Sequence, residues 1–168
     1  MTPDVLSNYE IHRGTMAVLS ASAIEFSSIA LEVDGKLHIR KPPLQLIKEA
    51  CLDGGSTYDG RRIAVTYLTG AQNKVPIPIH PMEQIYAFPT HSPQLHECHW
   101  LFYHHVLSIK PAPKSPSQSI VRFKNYPDPL KLDVSYNTLD KQMQRTSFCI
   151  VRFSPVYTHS VRMWDRWL

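Results

Sequence analysis

Basic side chains gather in residues 110–124, a segment that holds four cations and no acidic residue. Arg122 and Lys124 flank Phe123 and would therefore share one face of a strand. Cations along one face can neutralise phosphates, although each of them alone is more often a solvated charge. Together with basic residues elsewhere in the chain they make nine candidates for phosphate contact: Arg61, Arg62, Lys74, Lys110, Lys114, Arg122, Lys124, Lys141 and Arg145.

A second group of reactive side chains is rich in histidine. His96, Cys98, His99, His104 and His105 lie within ten positions of one another. On a strand His96 and Cys98 would share a face, as two ligands of a zinc ion must. No C-x₂-C or H-x₃-H pair completes a tetrahedral set, so we predict that Cys98 is a small buried residue and that the chain has no metal site and no cofactor. A zinc-dependent enzyme built on this segment stays open as a minor alternative.

Signatures of catalysis are missing from the rest of the sequence. It contains no G-x-S-x-G motif, no phosphate-binding glycine loop and no H-E-x-x-H motif. Ser56 and Thr57 with Asp59 could be imagined as nucleophile and base, but Asp followed by Gly60 is more typical of a turn. We therefore predict that the protein is not an enzyme.

The charge is distributed unevenly along the 168 residues. Residues 1–60 carry five Lys or Arg and eight Asp or Glu, a net charge of −3, whereas residues 61–168 carry 13 and six, a net charge of +7. This asymmetry favours an anionic partner for the second part of the chain. Many soluble proteins are equally basic without binding nucleic acid, so charge alone does not decide the matter.

Several features bear on where the protein resides. The sequence has no run of about 18 apolar residues, and its first residues lack the basic and apolar regions of a signal peptide. The three cysteines, Cys51, Cys98 and Cys149, are widely spaced and odd in number, which favours a reducing compartment. We expect a cytoplasmic protein with no membrane partner.

Residues 74–90 are the stretch most constrained by their composition. Four prolines, Pro76, Pro78, Pro81 and Pro89, exclude a helix. The alternation of apolar residues from Val75 onwards, with a second short strand over residues 84–88, predicts a buried hairpin that turns at residues 80–81. A second hairpin is predicted around residues 34–35, an Asp-Gly pair between two strand-like runs.

The remaining elements complete an α+β domain, mostly antiparallel strands with two or three helices. We predict helices over residues 42–52 and 137–147, the second capped by Asn137 with Asp140 in its first turn. The latter helix could contact phosphate through Lys141 and Arg145. We also expect a hairpin or kinked strand over residues 9–19, strands over 63–68 and 120–123, a bent strand over 97–110, a mobile loop over 111–119 and a closing helix within 156–168. With no clear domain boundary, residues 1–168 read as one compact domain.

Several stretches match a known family in order and with similar spacing over roughly residues 9–153. The sequence resembles the competence transcription factor ComK of Bacillus and related Firmicutes. The matching stretches are Tyr9-Glu10, residues 14–19, 41–47, 55–61, 84–90 and 135–139, then Gln142 and Arg145-Thr146.

The resemblance implies a sequence-specific DNA-binding activator without enzymatic activity or cofactor. Family members look like oligomers that bind paired A/T-rich boxes, largely through the minor groove, and switch on genes for DNA uptake. A nucleoid-associated homodimer or homotetramer is therefore expected, with double-stranded DNA as partner and RNA polymerase as a further candidate. Readers of the minor groove insert Arg or Lys, which makes the nine cations the expected DNA contacts.

Two alternatives concern the end of the chain. Longer relatives carry a C-terminal tail that looks like a handle for an adaptor of a Clp protease, whereas this sequence stops at Leu168, so that partner stays open. The chain could also be a protein-interaction module or a divergent paralogue without DNA binding of its own, and Trp164 and Trp167 would suit such an interface.

Overall fold

The computed structural model describes residues 4–154, which form ten strands and three α-helices. The closing helix predicted within residues 156–168, and Trp164 and Trp167 with it, lie outside the described residues. The strands are β1 Val5–Leu6, β2 Ala17–Ser20, β3 Ser28–Glu32, β4 Gly35–Ile39, β5 Ile77–His80, β6 Ile85–Pro89, β7 Trp100–Phe102, β8 Val106–Ala112, β9 Ser115–Phe123 and β10 Leu130–Leu132. The helices are α1 Pro43–Asp53, α2 Tyr58–Thr69 and α3 Tyr136–Phe153.

Seven strands form one large sheet in the order β1-β4-β3-β2-β7-β6-β5. All its pairings are antiparallel except that of β1 with β4. The hairpin β3–β4 turns at residues 33–34, so Asp34 of the predicted Asp-Gly pair lies in the turn and Gly35 begins β4. The remaining strands form a small sheet in the order β10-β9-β8. The predicted α+β fold is therefore confirmed, with three helices.

The proline-rich stretch forms the hairpin β5–β6, as predicted. Residues 75–79 and 85–90 are buried throughout, and a short 3-10 turn over Pro81–Glu83 reverses the chain. Gln84 ends this turn in the left-handed region, at φ 61°. The hairpin supplies an edge of the large sheet that packs against all three helices.

The two faces of the large sheet bury two hydrophobic clusters. On one face Val18, Ala30 and Trp100 pack with α1 and α2. On the other face the alternating neighbours, among them Ala17 and Leu101, pack with the small sheet. Helix α3 joins the clusters, because Leu139 lies in the second and Cys149 in the first. One continuous interior therefore holds the small sheet and α3 in fixed positions.

Residues 63–68, predicted as a strand, belong instead to α2. Val65 is fully buried while Ile63 and Tyr67 are 59% and 88% exposed, so these residues at every second position do not share one face as they would in a strand. The helix begins where the Gly60 N–H donates to the Thr57 hydroxyl at 2.9 Å, and it ends at Gly70, whose φ is +80°. What looks like a polar turn is an N-terminal helix cap.

Residues 111–119, predicted as a loop, are mostly strand. β8 runs to Ala112 and β9 begins at Ser115, with Lys114 at φ 61° in the tight turn between them. Pro111 is tolerated because β8 is an edge strand, and Pro116 because it precedes the part of β9 that pairs with β10. The proline-rich composition therefore marks the end of a long hairpin.

Residues 97–110 do not form one bent strand. β7 belongs to the large sheet and β8 to the small one, and a 3-10 turn over Tyr103–His105 carries the chain from one to the other. The expected hairpin over residues 9–19 is also absent there, because β2 starts at Ala17 and pairs with β3 and β7. Long-range pairing decides both cases.

The N-terminal cap of helix α3 lies two residues before the predicted cap, Asn137. The Thr138 N–H donates to the Ser135 hydroxyl at 3.3 Å, so Ser135 is the cap, and Asp140 lies beyond the first turn. Leu139 and Thr146 are fully buried and Met143 is half-buried, as expected for the inward face. The helix continues to Phe153, so it extends six residues beyond the predicted helix over residues 137–147.

Candidate nucleic-acid interface

One face of the small sheet carries cations in register. Lys110 of β8 and Lys131 of β10 both pair with Ile120 of β9, so the three side chains form a row across the sheet. Arg122 lies two positions further along β9, opposite Ser108. We call Ser108, Lys110, Ile120, Arg122 and Lys131 the outer sheet face. Its three cations are all exposed to solvent.

The inner side of the same strands explains this arrangement. Val121, Phe123 and Leu132 are buried in the cluster that contains Leu139 of α3. Since side chains alternate along a strand, the residues between them must point away from α3 into solvent. The hydrophobic pattern of three strands thus places the basic residues on one surface.

The surroundings of the outer sheet face are also basic. Lys114 lies at the turn between β8 and β9, and Lys124 directly follows β9, both exposed. Residues 106–132 contain five cations and one acid, Asp128. This surface therefore brings together four of the nine candidates and adds Lys131, which the sequence analysis missed. The apolar-basic-apolar alternation of residues 130–132 was the signal for it.

Three further candidates, Lys74, Lys141 and Arg145, line one cavity of about 560 Å³. We call it the α3 cavity. Its wall consists of the loop at residues 70–74 and the first half of α3, and includes Asn137 and Thr138 of the first helical turn. Residues some 70 positions apart in the chain therefore form a single basic pocket.

Buried Gln142 holds the walls of the α3 cavity together. Its side-chain amide, in a residue that is 1% exposed, donates to the carbonyls of Lys74 at 2.9 Å and Pro89 at 2.7 Å. Its oxygen accepts from the Arg145 guanidinium at 2.8 Å, and Arg145 also donates to the Asn73 carbonyl at 2.6 Å. Burial lowers the pKa of Arg145 from its usual range. The loop is thereby fastened to the helix.

The last two candidates lie apart from both groups, on α2. Arg61 donates to the Gly54 carbonyl at 2.9 Å, where it satisfies the C-terminal end of α1. Arg62 lies 3.6 Å from the Asp59 carboxylate, one turn away. Both therefore have a partner within the fold, which residue type alone did not reveal.

Residues 6–156 of the chain match the family described as ComK protein. This chain belongs to the ComK family. It is 31% identical over 157 residues to the competence transcription factor of Bacillus subtilis strain 168, an alignment that covers 93% of this chain and 80% of that protein. No solved structure matches the chain. None of the helices within residues 4–154 combines the length and apolar character that a membrane crossing requires.

Side chains of the histidine-rich segment form hydrogen bonds within the fold. The Ser20 N–H donates to His99 Nδ1 at 3.0 Å, and His96 Nε2 lies 2.6 Å from the Ser22 hydroxyl. Cys98 is buried, as predicted, and its thiol donates to the His91 carbonyl at 3.4 Å. Within residues 4–154, no three His, Cys, Asp or Glu side chains are grouped as metal ligands.

The cysteines have little reactivity. Burial raises the pKa of the Cys51 and Cys149 thiols to about 12, and it also raises that of Cys98. A thiol with so high a pKa holds its proton at neutral pH and is a poor nucleophile or metal ligand. All three act as small core residues.

Acidification is expected to destabilise the protein through His99. Burial lowers the pKa of His99 to about 4, from 6.5 in the unfolded chain. The unfolded state therefore binds more protons, and a stabilisation of about 3 kcal/mol is present above pH 6.5 and is lost as the pH falls toward 4. Urea unfolding at a series of pH values measures this slope.

A matched pair of variants assigns that slope. His99→Asn keeps an acceptor for the Ser20 N–H and removes the titrating ring, so its stability should change less between pH 7 and pH 4. Gln94→Asn, an exposed substitution that removes no titrating group, should retain the wild-type slope. An unchanged slope in His99→Asn would assign the pH dependence to other groups.

Proposed function

We propose that the protein is a transcriptional activator of competence genes that binds DNA through its outer sheet face. The family and the competence transcription factor of Bacillus subtilis, 31% identical, support a role in transcription regulation rather than catalysis. The observation that carries the DNA contact is the row of Lys110 and Lys131 across the sheet, with Arg122 beside it.

The spacing of these cations suits a nucleic acid. Strands lie about 4.8 Å apart, which puts the Cα atoms of Lys110 and Lys131 about 10 Å from each other. The minor groove of B-DNA is about 6 Å wide, so two long lysine side chains at this separation can reach phosphates on both of its walls. Arg122, exposed between them along β9, is then available to enter the groove, where A/T-rich sequences attract arginine.

Recognition of paired A/T-rich boxes follows if two or four copies bind together. Closed symmetric oligomers are the usual way in which a protein reads repeated half-sites. In this proposal each copy places its outer sheet face on one box, and the protein acts in the cytoplasm on the nucleoid.

The test is a variant that removes the three cations together, Lys110→Gln, Arg122→Gln and Lys131→Gln. The side chains are exposed, so the fold should persist. We expect affinity for a paired A/T-box duplex to fall at least about tenfold, and the slope of log K against log salt to become shallower by about 3, one for each lost phosphate contact. Gel shift over a salt titration measures both quantities.

The control removes the same charge from another surface, with Lys36→Gln, Arg40→Gln and Lys48→Gln, all exposed on β4, after it and on α1. This variant should keep an affinity within about threefold of wild type, because in this proposal none of the three side chains contacts a phosphate. Equal losses in the two variants would refute the outer sheet face as the contact. A protection footprint on a paired-box promoter would show whether the minor groove is covered.

A further inference from the structure

We propose that the α3 cavity is a phosphate-binding site separate from the outer sheet face. The two have no lining residue in common, and α3 packs on the inner side of the small sheet, where Leu139 shares a hydrophobic cluster with Val121 and Phe123. The outer sheet face points away from that contact.

The wall of the α3 cavity is positively charged without compensation. Lys74, Lys141 and Arg145 converge on it, and no acidic side chain of the described residues lines it. Asp140, the acid nearest in sequence on α3, is hydrogen-bonded to the Gln144 amide at 2.9 Å instead. Three cations around one cavity repel one another, and a bound anion relieves that repulsion.

The same wall offers free donors in a prepared geometry. Arg145 donates two of the five N–H groups of its guanidinium to Gln142 and Asn73. Three N–H donors therefore remain for a ligand. Within residues 4–154, neither Lys74 nor Lys141 forms an ion pair. Asn137 lies in the first turn of an 18-residue helix, whose N-terminal end carries partial positive charge, whereas the Thr138 N–H is already bonded to the Ser135 cap. These donors match the several oxygens of a phosphate group.

The loop is held ready for a ligand before one arrives. Lys74 adopts φ +49°, which is unusual for a residue with a side chain, and its carbonyl is fixed by the buried Gln142 amide. Little ordering remains to oppose binding, since the loop and the helix are already joined. A volume of about 560 Å³ is ample for a phosphate group together with a sugar.

Phosphate of this kind has two sources, the DNA backbone and a free nucleotide. The first experiment uses neither, and titrates the full-length protein with sodium pyrophosphate by calorimetry at constant ionic strength. We expect saturable binding with a Kd of about 1 mM or tighter. Lys141→Gln should weaken it at least about fivefold, through loss of one charge-assisted contact. Lys141 is exposed on α3, and the matched control Lys48→Gln is exposed on α1.

Two further titrations of the same proteins identify the source. If Lys141→Gln also weakens binding of a paired A/T-box duplex, the site holds a backbone phosphate. If the duplex affinity is unchanged while ATP binds wild type and not Lys141→Gln, the site holds a nucleotide. Either result supports the proposal.

The proposal is overturned if pyrophosphate shows no saturable binding below about 10 mM, or binds wild type and Lys141→Gln equally. These measurements involve no DNA, so this failure is distinct from a failure of the outer sheet face. Conversely, the triple variant with Lys110→Gln, Arg122→Gln and Lys131→Gln should still bind pyrophosphate with wild-type affinity.

Discussion

Gly54→Ala is expected to lower the free energy of unfolding by about 3 kcal/mol or more. Gly54 ends α1 directly against β5, and a Cβ there would overlap the Ile79 carbonyl oxygen and lie 3.3 Å from its carbon. Both are backbone atoms of a buried strand, so no rotamer change can relieve the overlap. Gly54 itself is held by its N–H bond to the Ala50 carbonyl and by Arg61 at its own carbonyl. The helix and the strand must separate.

Urea unfolding of wild type and variant, followed by circular dichroism, measures this loss. Gly14→Ala is the control, because the atoms nearest to its Cβ belong to the His12 imidazole, an exposed side chain whose rotation costs only its hydrogen bonds to the Gly14 N–H and the Glu32 carboxylate. That variant should lose no more than about 1 kcal/mol. Equal losses in the two alanine variants would show that the approach of α1 to β5 is not a tight constraint.

Elements with strong local signals were predictable from the sequence. The hairpin β3–β4 was predicted from the Asp-Gly pair at its turn. The hairpin β5–β6 was predicted from prolines that exclude a helix. α1 begins with proline and shows a helical apolar period. In each case the residues that select the structure lie within the element.

Elements whose signal depends on distant residues were not predictable. The alternation of Ile63, Val65 and Tyr67 imitates a strand, and only the surface exposure of the first and third shows that it is one side of a helix. Pro111 is tolerated because β8 is an edge strand, with no neighbour on its outer side. Pro116 is tolerated because β10 pairs only with a later part of β9. Sheet order is a property of the whole fold.

The candidate site shows the same division. Lys110 and Arg122 could be selected by type, but the row with Lys131 depends on the register of three strands. Arg61 was selected by residue type in the same way. Its hydrogen bond to the Gly54 carbonyl, which joins α2 to the end of α1, could not be predicted from sequence spacing. The α3 cavity likewise exists only because residue 74 meets residues 141 and 145 in the fold.

Gln142→Leu is expected to lower the free energy of unfolding by about 4 kcal/mol. Leucine has a similar size but leaves the carbonyls of Lys74 and Pro89 without their buried donor and removes an acceptor from Arg145. Each buried polar group without a partner costs about 1–3 kcal/mol. The two carbonyls belong to the ends of the proline-rich segment, so the loss detaches that segment from α3.

Gln144→Leu on the same helix is the matched control, because Gln144 is exposed and bonds only the Asp140 carboxylate among the hydrogen bonds described. It should change stability by no more than about 0.5 kcal/mol. Chemical denaturation of both variants decides the point, and a loss below about 1 kcal/mol in Gln142→Leu would mean that its three hydrogen bonds are replaced by water. A large loss would mean that the three hydrogen bonds of Gln142 stabilise the contact between the proline-rich hairpin and α3. Because Gln142 and Arg145 also line the basic cavity, the scaffold and the candidate phosphate site then depend on the same buried amide.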